Sequence, residues 1–172
     1  VPHPELADAH YSISLLYEKI KDYSKALSHL QISIDMLSSL EDPESSQLLV
    51  KALADRERIR KLEMENMNST QRIEKANSLK TQGNTFYKYS NLQRAQECYK
   101  SALMYVSNCI GNEARDIKLS LYNNFALCEY KLSNYEKAIE YANKGLEINS
   151  TNLKLLFRKS QALSELGRYD RS

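Results

Sequence analysis

Leu79-Lys80-Thr81-Gln82-Gly83-Asn84-Thr85-Phe86, followed by Asn91-Leu92, Ala95, Tyr99 and Ala102, is the stretch on which the reading of this chain turns, because its pattern recurs. Upstream, Ala9-His10-Tyr11-Ser12-Ile13-Ser14-Leu15-Leu16-Tyr17 precedes Asp22-Tyr23-Ser24-Lys25-Ala26 and Leu30. Downstream, Tyr122-Asn123-Asn124-Phe125-Ala126 precedes Asn134-Tyr135, Ala138, Ala142 and Gly145. A fourth copy runs Leu156-Phe157-Arg158-Lys159-Ser160, Leu163 and Gly167-Arg168-Tyr169. Self-similarity on this scale marks an array of stacked units, each leaving an apolar face that only a neighbour can cover.

These positions resemble the tetratricopeptide-repeat (TPR) signature, a helix–turn–helix of about 34 residues whose small residues let two antiparallel helices approach closely. The resemblance implies an all-α array forming a right-handed superhelix with a concave peptide-binding groove. It puts Gly83, Ala126 and Ser160 at the close contact on the first helix of a hairpin, and Ala26, Ala95 and Ala138 on the second. Tyr17, Tyr23, Phe86, Tyr135 and Tyr169 are expected to fill the space between hairpins. From Ala95 to Ala138 the period is 43, and the excess of nine falls at Val106–Asp116, where the flanking helices are both expected to lengthen.

Composition agrees. Four Gly and three Pro in 172 residues leave little for tight hairpins between strands. No apolar run approaches the roughly 18 residues needed to cross a bilayer. The chain opens on Val and ends in a recognisable helix-turn, so it reads as an excerpt of something longer. Cys98, Cys109 and Cys128, spaced by 11 and 19, match no metal or redox pattern and read as reduced core thiols of a cytosolic or nuclear protein. His3, His10 and His29 form no ligand cluster in sequence, so no metal site is expected.

The register is lost between Leu40 and Ser69. Asp42-Pro43-Glu44 has the form of a helix start, with Pro in the first turn and acids at the positive end of the dipole. Asp55–Glu65 alternates charges as a solvated helix face or linker does. Asn66-Met67-Asn68-Ser69-Thr70 reads as a break with a new cap. Three segments follow: a first TPR-like hairpin at 1–41, a charged helical connector at 42–69, and a TPR domain of two repeats and a truncated third at 70–172. Net charge divides the same way. Residues 1–69 hold eight Lys and Arg against twelve Asp and Glu, and residues 70–172 hold sixteen against ten, so the second part favours an acidic partner.

Within 70–172, Lys80 and Asn84 share a helix face at i, i+4, Lys154 and Arg158 repeat that spacing, and Asn124 lies between them in the array. At all five positions the chain resembles the two-carboxylate clamp of TPR co-chaperones of the immunophilin and heat-shock-organising kinds. That resemblance implies capture of the extreme C-terminus of cytosolic heat-shock protein 90 or 70, of the Glu-Glu-Val-Asp kind. A C-terminal Asp presents two carboxylates almost side by side, which calls for several cationic and amide donors at once. Lys80, Asn84 and Asn124 would take the terminal carboxylate, Lys154 the Asp side chain, and Arg158 an acceptor further up the peptide. The first hairpin lacks such donors: His10, Ser14 and Lys21 do not reproduce the pattern.

Other classes fit less well. Glu136 and Glu140 are paired carboxylates, but they alternate with Lys137 and Lys144, and no phosphate loop, nucleophile motif or cofactor signature is present. Basic residues interleave with acidic ones, unlike the dense stripe of a nucleic-acid surface. The competing expectation is a TPR scaffold for an internal acidic or histone-related segment, which the same positive balance would suit.

Overall fold

The computed structural model of the chain describes residues 3–40 and 42–169, which form eight α-helices and no strand. They fall into two compact units, Val1–Met67 and Asn68–Ser172. No helix among the described residues is long and apolar enough to cross a membrane.

The first unit holds α1 (Pro4–Lys19), α2 (Tyr23–Leu37) and α3 (Pro43–Glu65). Ala7 and Ala26 are both fully buried, the small side chains that let α1 and α2 close on each other, and the Ser33 hydroxyl donates to the Ala7 carbonyl at 2.8 Å inside that seam. The third helix fills the connector. Pro43 stands in its first turn, and the Asp42 carboxylate accepts from the Ser45 amide at 2.8 Å, satisfying a donor that the helix start leaves orphaned. Its apolar residues Ala52 and Ile59 are fully buried in one cluster with Leu30, Ile34 and Leu37 of α2. Its charged face is not idle either. Asp55 accepts from the Tyr11 hydroxyl at 2.7 Å and pairs with Arg58, which also holds Glu18 of α1. Burial acts to raise the Asp55 carboxyl, but the hydrogen bonds from Tyr11 and Arg58 outweigh it and hold it below the usual carboxylate range.

Three helix–helix turns are built alike. Lys21, Ser90 and Ser133 all adopt φ near +60°, and each is followed by Asp22, Asn91 or Asn134 at the start of the next helix. The amide of that Asp or Asn bonds back to Tyr17, Phe86 or Glu129 at 2.9–3.0 Å. Such a left-handed residue with a backward 6→1 bond consumes helix-end carbonyls and reverses the chain within two residues. The repeat in sequence is thus a repeat in backbone geometry.

The second unit contains α4 (Ser69–Lys88), α5 (Leu92–Val106), α6 (Asn112–Lys131), α7 (Tyr135–Ile148) and α8 (Leu153–Tyr169). A capping box opens α4: the Asn68 side chain accepts from the Gln71 backbone amide at 2.9 Å, and the Asn68 backbone amide donates to the Gln71 Oε1 at 3.0 Å. Helices α4 and α5 form one hairpin and α6 and α7 the next, with α6 in contact with both α4 and α8. Ala95, Ala126 and Ala138 are fully buried, as the close contacts require.

Several expectations are corrected. The long period is not shared between two helices: α5 ends at Val106, and the excess goes into residues 107–111 and an early start of α6. Gly111, at φ 109°, makes the bend, and Lys118 reaches back from α6 to the Ser107 and Cys109 carbonyls at 2.9 and 3.2 Å. Ser160 is exposed rather than in a close contact, because among the described residues no helix follows α8 to stand opposite it. For the same reason Gly167 stays helical where Ser133 turns. Tyr17, Tyr23, Phe86 and Tyr135 are half-buried and pack along hairpin seams, Tyr17 stacking on His29 at 5.4 Å; the Tyr169 side chain lies outside the described residues.

The cysteines are free thiols, with Cys109 and Cys128 buried and Cys98 half-buried. Burial pushes the Cys128 thiol up to about 12, with the neighbouring Glu129 adding to it, so it stays protonated at neutral pH. In the native protein at pH 7.5, Cys128 is therefore expected to resist a thiol-reactive reagent that labels it promptly in denaturant, and peptide mapping of the labelled chain checks this.

Candidate functional site

The exposed faces of α4, α6 and α8 carry the five residues singled out from the sequence. Lys80 and Asn84 lie one turn apart on α4, Asn124 on α6, and Lys154 and Arg158 one turn apart on α8. The most direct link is between the first two helices: the Asn124 Nδ2 donates to the Asn84 Oδ1 at 2.9 Å. Forty residues apart in sequence, these amides touch because α4 and α6 occupy equivalent places in successive hairpins.

Each side chain is held differently. The half-buried Lys80 ammonium donates to the Asn77 Oδ1 at 3.0 Å, a neutral acceptor that leaves its charge uncancelled. Asn84 accepts a second bond, from the Tyr99 hydroxyl on α5, also at 2.9 Å. Tyr99 is 1% exposed, and burial raises its phenol well above the ordinary value, so it is a neutral donor across the physiological range. One Asn124 hydrogen is spent on Asn84, and its own oxygen faces the Asn123 amide at 3.4 Å, too long for a strong bond.

On α8, Asn152 caps the helix by accepting from the Leu155 amide at 3.1 Å, and Lys154 follows within the first turn, where no acid accompanies it. A cation there opposes the helix dipole, so stability alone does not favour Lys154 at that place. It has no ion pair or hydrogen bond among the described residues. Arg158 is half-buried over the Phe157 ring, 5.5 Å from its centroid, and donates to Gln161 at 2.9 Å, while its buried Nε finds no acceptor among the described residues. Three cations and two amides thus line adjacent helices, and among the described residues no carboxylate is paired to Lys80, Lys154 or Arg158. The fitting ligand is an anion with several acceptor oxygens.

Two partners of the site escaped sequence reasoning. Tyr99 was legible only as a packing position of the repeat, and Asn77 not at all; a hydroxyl-bearing aromatic four residues after Ala95, opposite Gly83, was the available signal. In the first unit, His10 and His29 approach to 2.9 Å between Nδ1 atoms and stack, a pairing their separation of 19 residues conceals. Among the described residues no group of three or more His, Cys, Asp or Glu could hold a metal ion. The carboxylates Glu136 and Glu140 lie exposed on α7, and Glu140 is taken up by Lys144 at 2.6 Å.

Helical hairpins with left-handed turns, alanine-lined seams and a donor-rich face shared by alternate helices are the architecture of tetratricopeptide-repeat domains. Residues 119–152 match the Tetratricopeptide repeat family, covering the last two thirds of α6, all of α7 and the turn into α8. Over 95 residues the chain is 37% identical to the Hsp70/Hsp90 co-chaperone CNS1 of Saccharomyces cerevisiae, covering 55% of this chain and 23% of that protein. It is 34% identical over 110 residues to the peptidyl-prolyl cis-trans isomerase FKBP4 of Rattus norvegicus, covering 60% and 24%. With protein unc-45 homolog B of Xenopus laevis it shares 33% identity over 94 residues, covering 55% and 10%. The chain therefore spans a quarter or less of the length of these relatives. Among solved structures, the C-terminal TPR-containing domain of a Plasmodium falciparum FK506-binding protein superposes with a TM-score of 0.56 at 26% identity, over 62% of this chain and 76% of that one.

Proposed function

We propose that the second unit is a carboxylate clamp that captures the acidic C-terminus of heat-shock protein 90 or 70, making this chain the chaperone-binding part of a non-catalytic co-chaperone adaptor of the cytoplasm or nucleus. The observation that supports the reading is the 2.9 Å bond between Asn84 and Asn124, which joins the donors of α4 and α6, together with the packing of α8, the helix of Lys154 and Arg158, on α6. The name of the yeast relative, a co-chaperone of both chaperones, supports the same ligand class. In this reading Lys80, Asn84 and Asn124 meet the terminal carboxylate, Lys154 meets the Asp side chain, and Arg158 reaches an acceptor further upstream.

Affinity of about micromolar is expected for a pentapeptide ending in Glu-Glu-Val-Asp, because few contacts form and the peptide must be ordered. It should weaken as salt rises, since the groove is open to solvent. Lys80→Ala removes one charge-assisted hydrogen bond and should cost about 1–3 kcal/mol of binding. Isothermal titration of both proteins with that peptide decides the matter: equal affinities for wild type and Lys80→Ala would falsify the assignment.

A further inference from the structure

We infer that Tyr99 is a positioning residue of the groove, whose buried hydroxyl holds the Asn84 amide with its oxygen inward and its NH2 group toward the ligand. The inference rests on the clamp reading. Asn side chains are nearly symmetric in shape, so a half-turn of the terminal amide exchanges a donor for an acceptor at almost no steric cost. Two adjacent Asn residues can also bond either way round. Asn84 and Asn124 alone would leave the groove free to present an oxygen to an incoming carboxylate, which would repel it.

Tyr99 breaks that symmetry. Its hydroxyl is 2.9 Å from the Asn84 Oδ1, and the ring, 1% exposed, cannot reach water. A buried O–H left without an acceptor is penalised, and Asn84 is the acceptor it has. Turning the amide over would set the Asn84 NH2 against the Asn124 NH2 and take from the buried phenol hydrogen the acceptor it now has, while the phenol oxygen is already engaged by Asn124. The oxygen is therefore held inward by two donors, Tyr99 and Asn124, and its lone pairs are used. No partner for the Asn84 NH2 exists among the described residues, and Asn84 itself is exposed. That NH2 is the donor an oxyanion requires, presented before the ligand arrives.

The reach depends on the neighbouring glycine. A Cβ at Gly83 would stand 2.5 Å from Cε1 and 2.7 Å from Cδ1 of Tyr99, closer than carbon atoms approach. Only a hydrogen at position 83 lets the ring pass beneath α4 and deliver its hydroxyl to position 84. The ring is further located by an edge-on contact with Phe125 of α6, 5.8 Å between centroids. The residue that packs the hairpin thus also orders its binding face.

Tyr99→Phe keeps the ring and deletes the hydroxyl. In titrations with a pentapeptide ending in Glu-Glu-Val-Asp, it should bind about tenfold more weakly than wild type, the scale of one lost orienting hydrogen bond. In an Asn84→Ala background the same change should have no further effect, because the group it orients is gone. A loss of equal size in both backgrounds, or no loss in either, overturns the inference and leaves the clamp intact. Failure of wild type to bind the peptide removes the clamp reading instead. Positioning is then decided by a neutron crystal structure of the free protein, which tells the Asn84 oxygen from its deuterated nitrogen: the oxygen is expected to face the Tyr99 hydroxyl, with the hydroxyl deuterium pointing to it. A deuterated Asn84 nitrogen facing the Tyr99 hydroxyl means the amide is turned the other way and overturns the inference.

Discussion

Capping the ligand's last carboxylate as an amide is expected to weaken binding about a hundredfold or more, with the rest of the pentapeptide unchanged. In the proposed clamp, removing the charge deletes the strongest partner of Lys80 and of the Asn84 NH2, and two charge-assisted hydrogen bonds of about 1.5–3 kcal/mol each are at stake. The loss is compounded because an amide nitrogen then faces a surface built of donors. Lys154 and Arg158, on α8, would still meet the Asp side chain and an upstream acceptor, so residual binding should follow those cations and vanish with salt. Calorimetry on the acid and amide forms of one peptide measures the difference directly. Unchanged affinity would mean that the groove takes internal acidic segments, and the donors would need a different ligand.

The second large effect concerns folding. Gly83→Val should destabilise the second unit by about 2–3 kcal/mol, the upper range for forcing extra carbon into a packed seam. On propensity alone, replacing a mid-helix Gly should help by a few tenths of a kcal/mol or more. Packing wins because the Tyr99 ring is held by Phe125 and by its bond to Asn84, and because the added carbon would also meet the Ala95 backbone carbonyl at 3.2 Å, which cannot swing aside. Gly145→Ala is the useful contrast. There the nearest atoms are the methyl carbons of Leu155, at 2.5 and 3.0 Å, the far end of a side chain that can change rotamer. Its loss should be smaller by about 1 kcal/mol or more, allowing for helix propensity. Denaturant melts of the two variants test the ordering, and a Gly83→Val protein as stable as wild type would contradict the tight seam.

Much of the architecture was open to inspection in one dimension. Alanines at 26, 95 and 138 recur where two helices must touch, and all three are fully buried. Asp22, Asn91 and Asn134 recur at the same place in the turn, each behind a left-handed residue. Such features are local: helix pitch fixes which residues share a face, and a two-residue reversal fixes where the next helix begins. Because the same local rule is applied several times, it also puts Lys80, Asn84, Asn124, Lys154 and Arg158 on corresponding helices. Where the extra residues around Val106–Asp116 would go was not local, since a glycine bend and a longer helix satisfy the same sequence, and the reach of Lys118 to two loop carbonyls belongs to the observed solution.

The residue types and their repeat spacing determined a helical array with a donor-rich face. Only the tertiary structure decided which way the donors point. Hydrogen bonds between Asn84, Asn124 and Tyr99 join residues 15 and 40 positions apart, and the His10–His29 contact joins residues 19 apart. Periodicity carries no information about such bonds, because the orientation of an amide depends on the atoms packed around it rather than on its place in the helix.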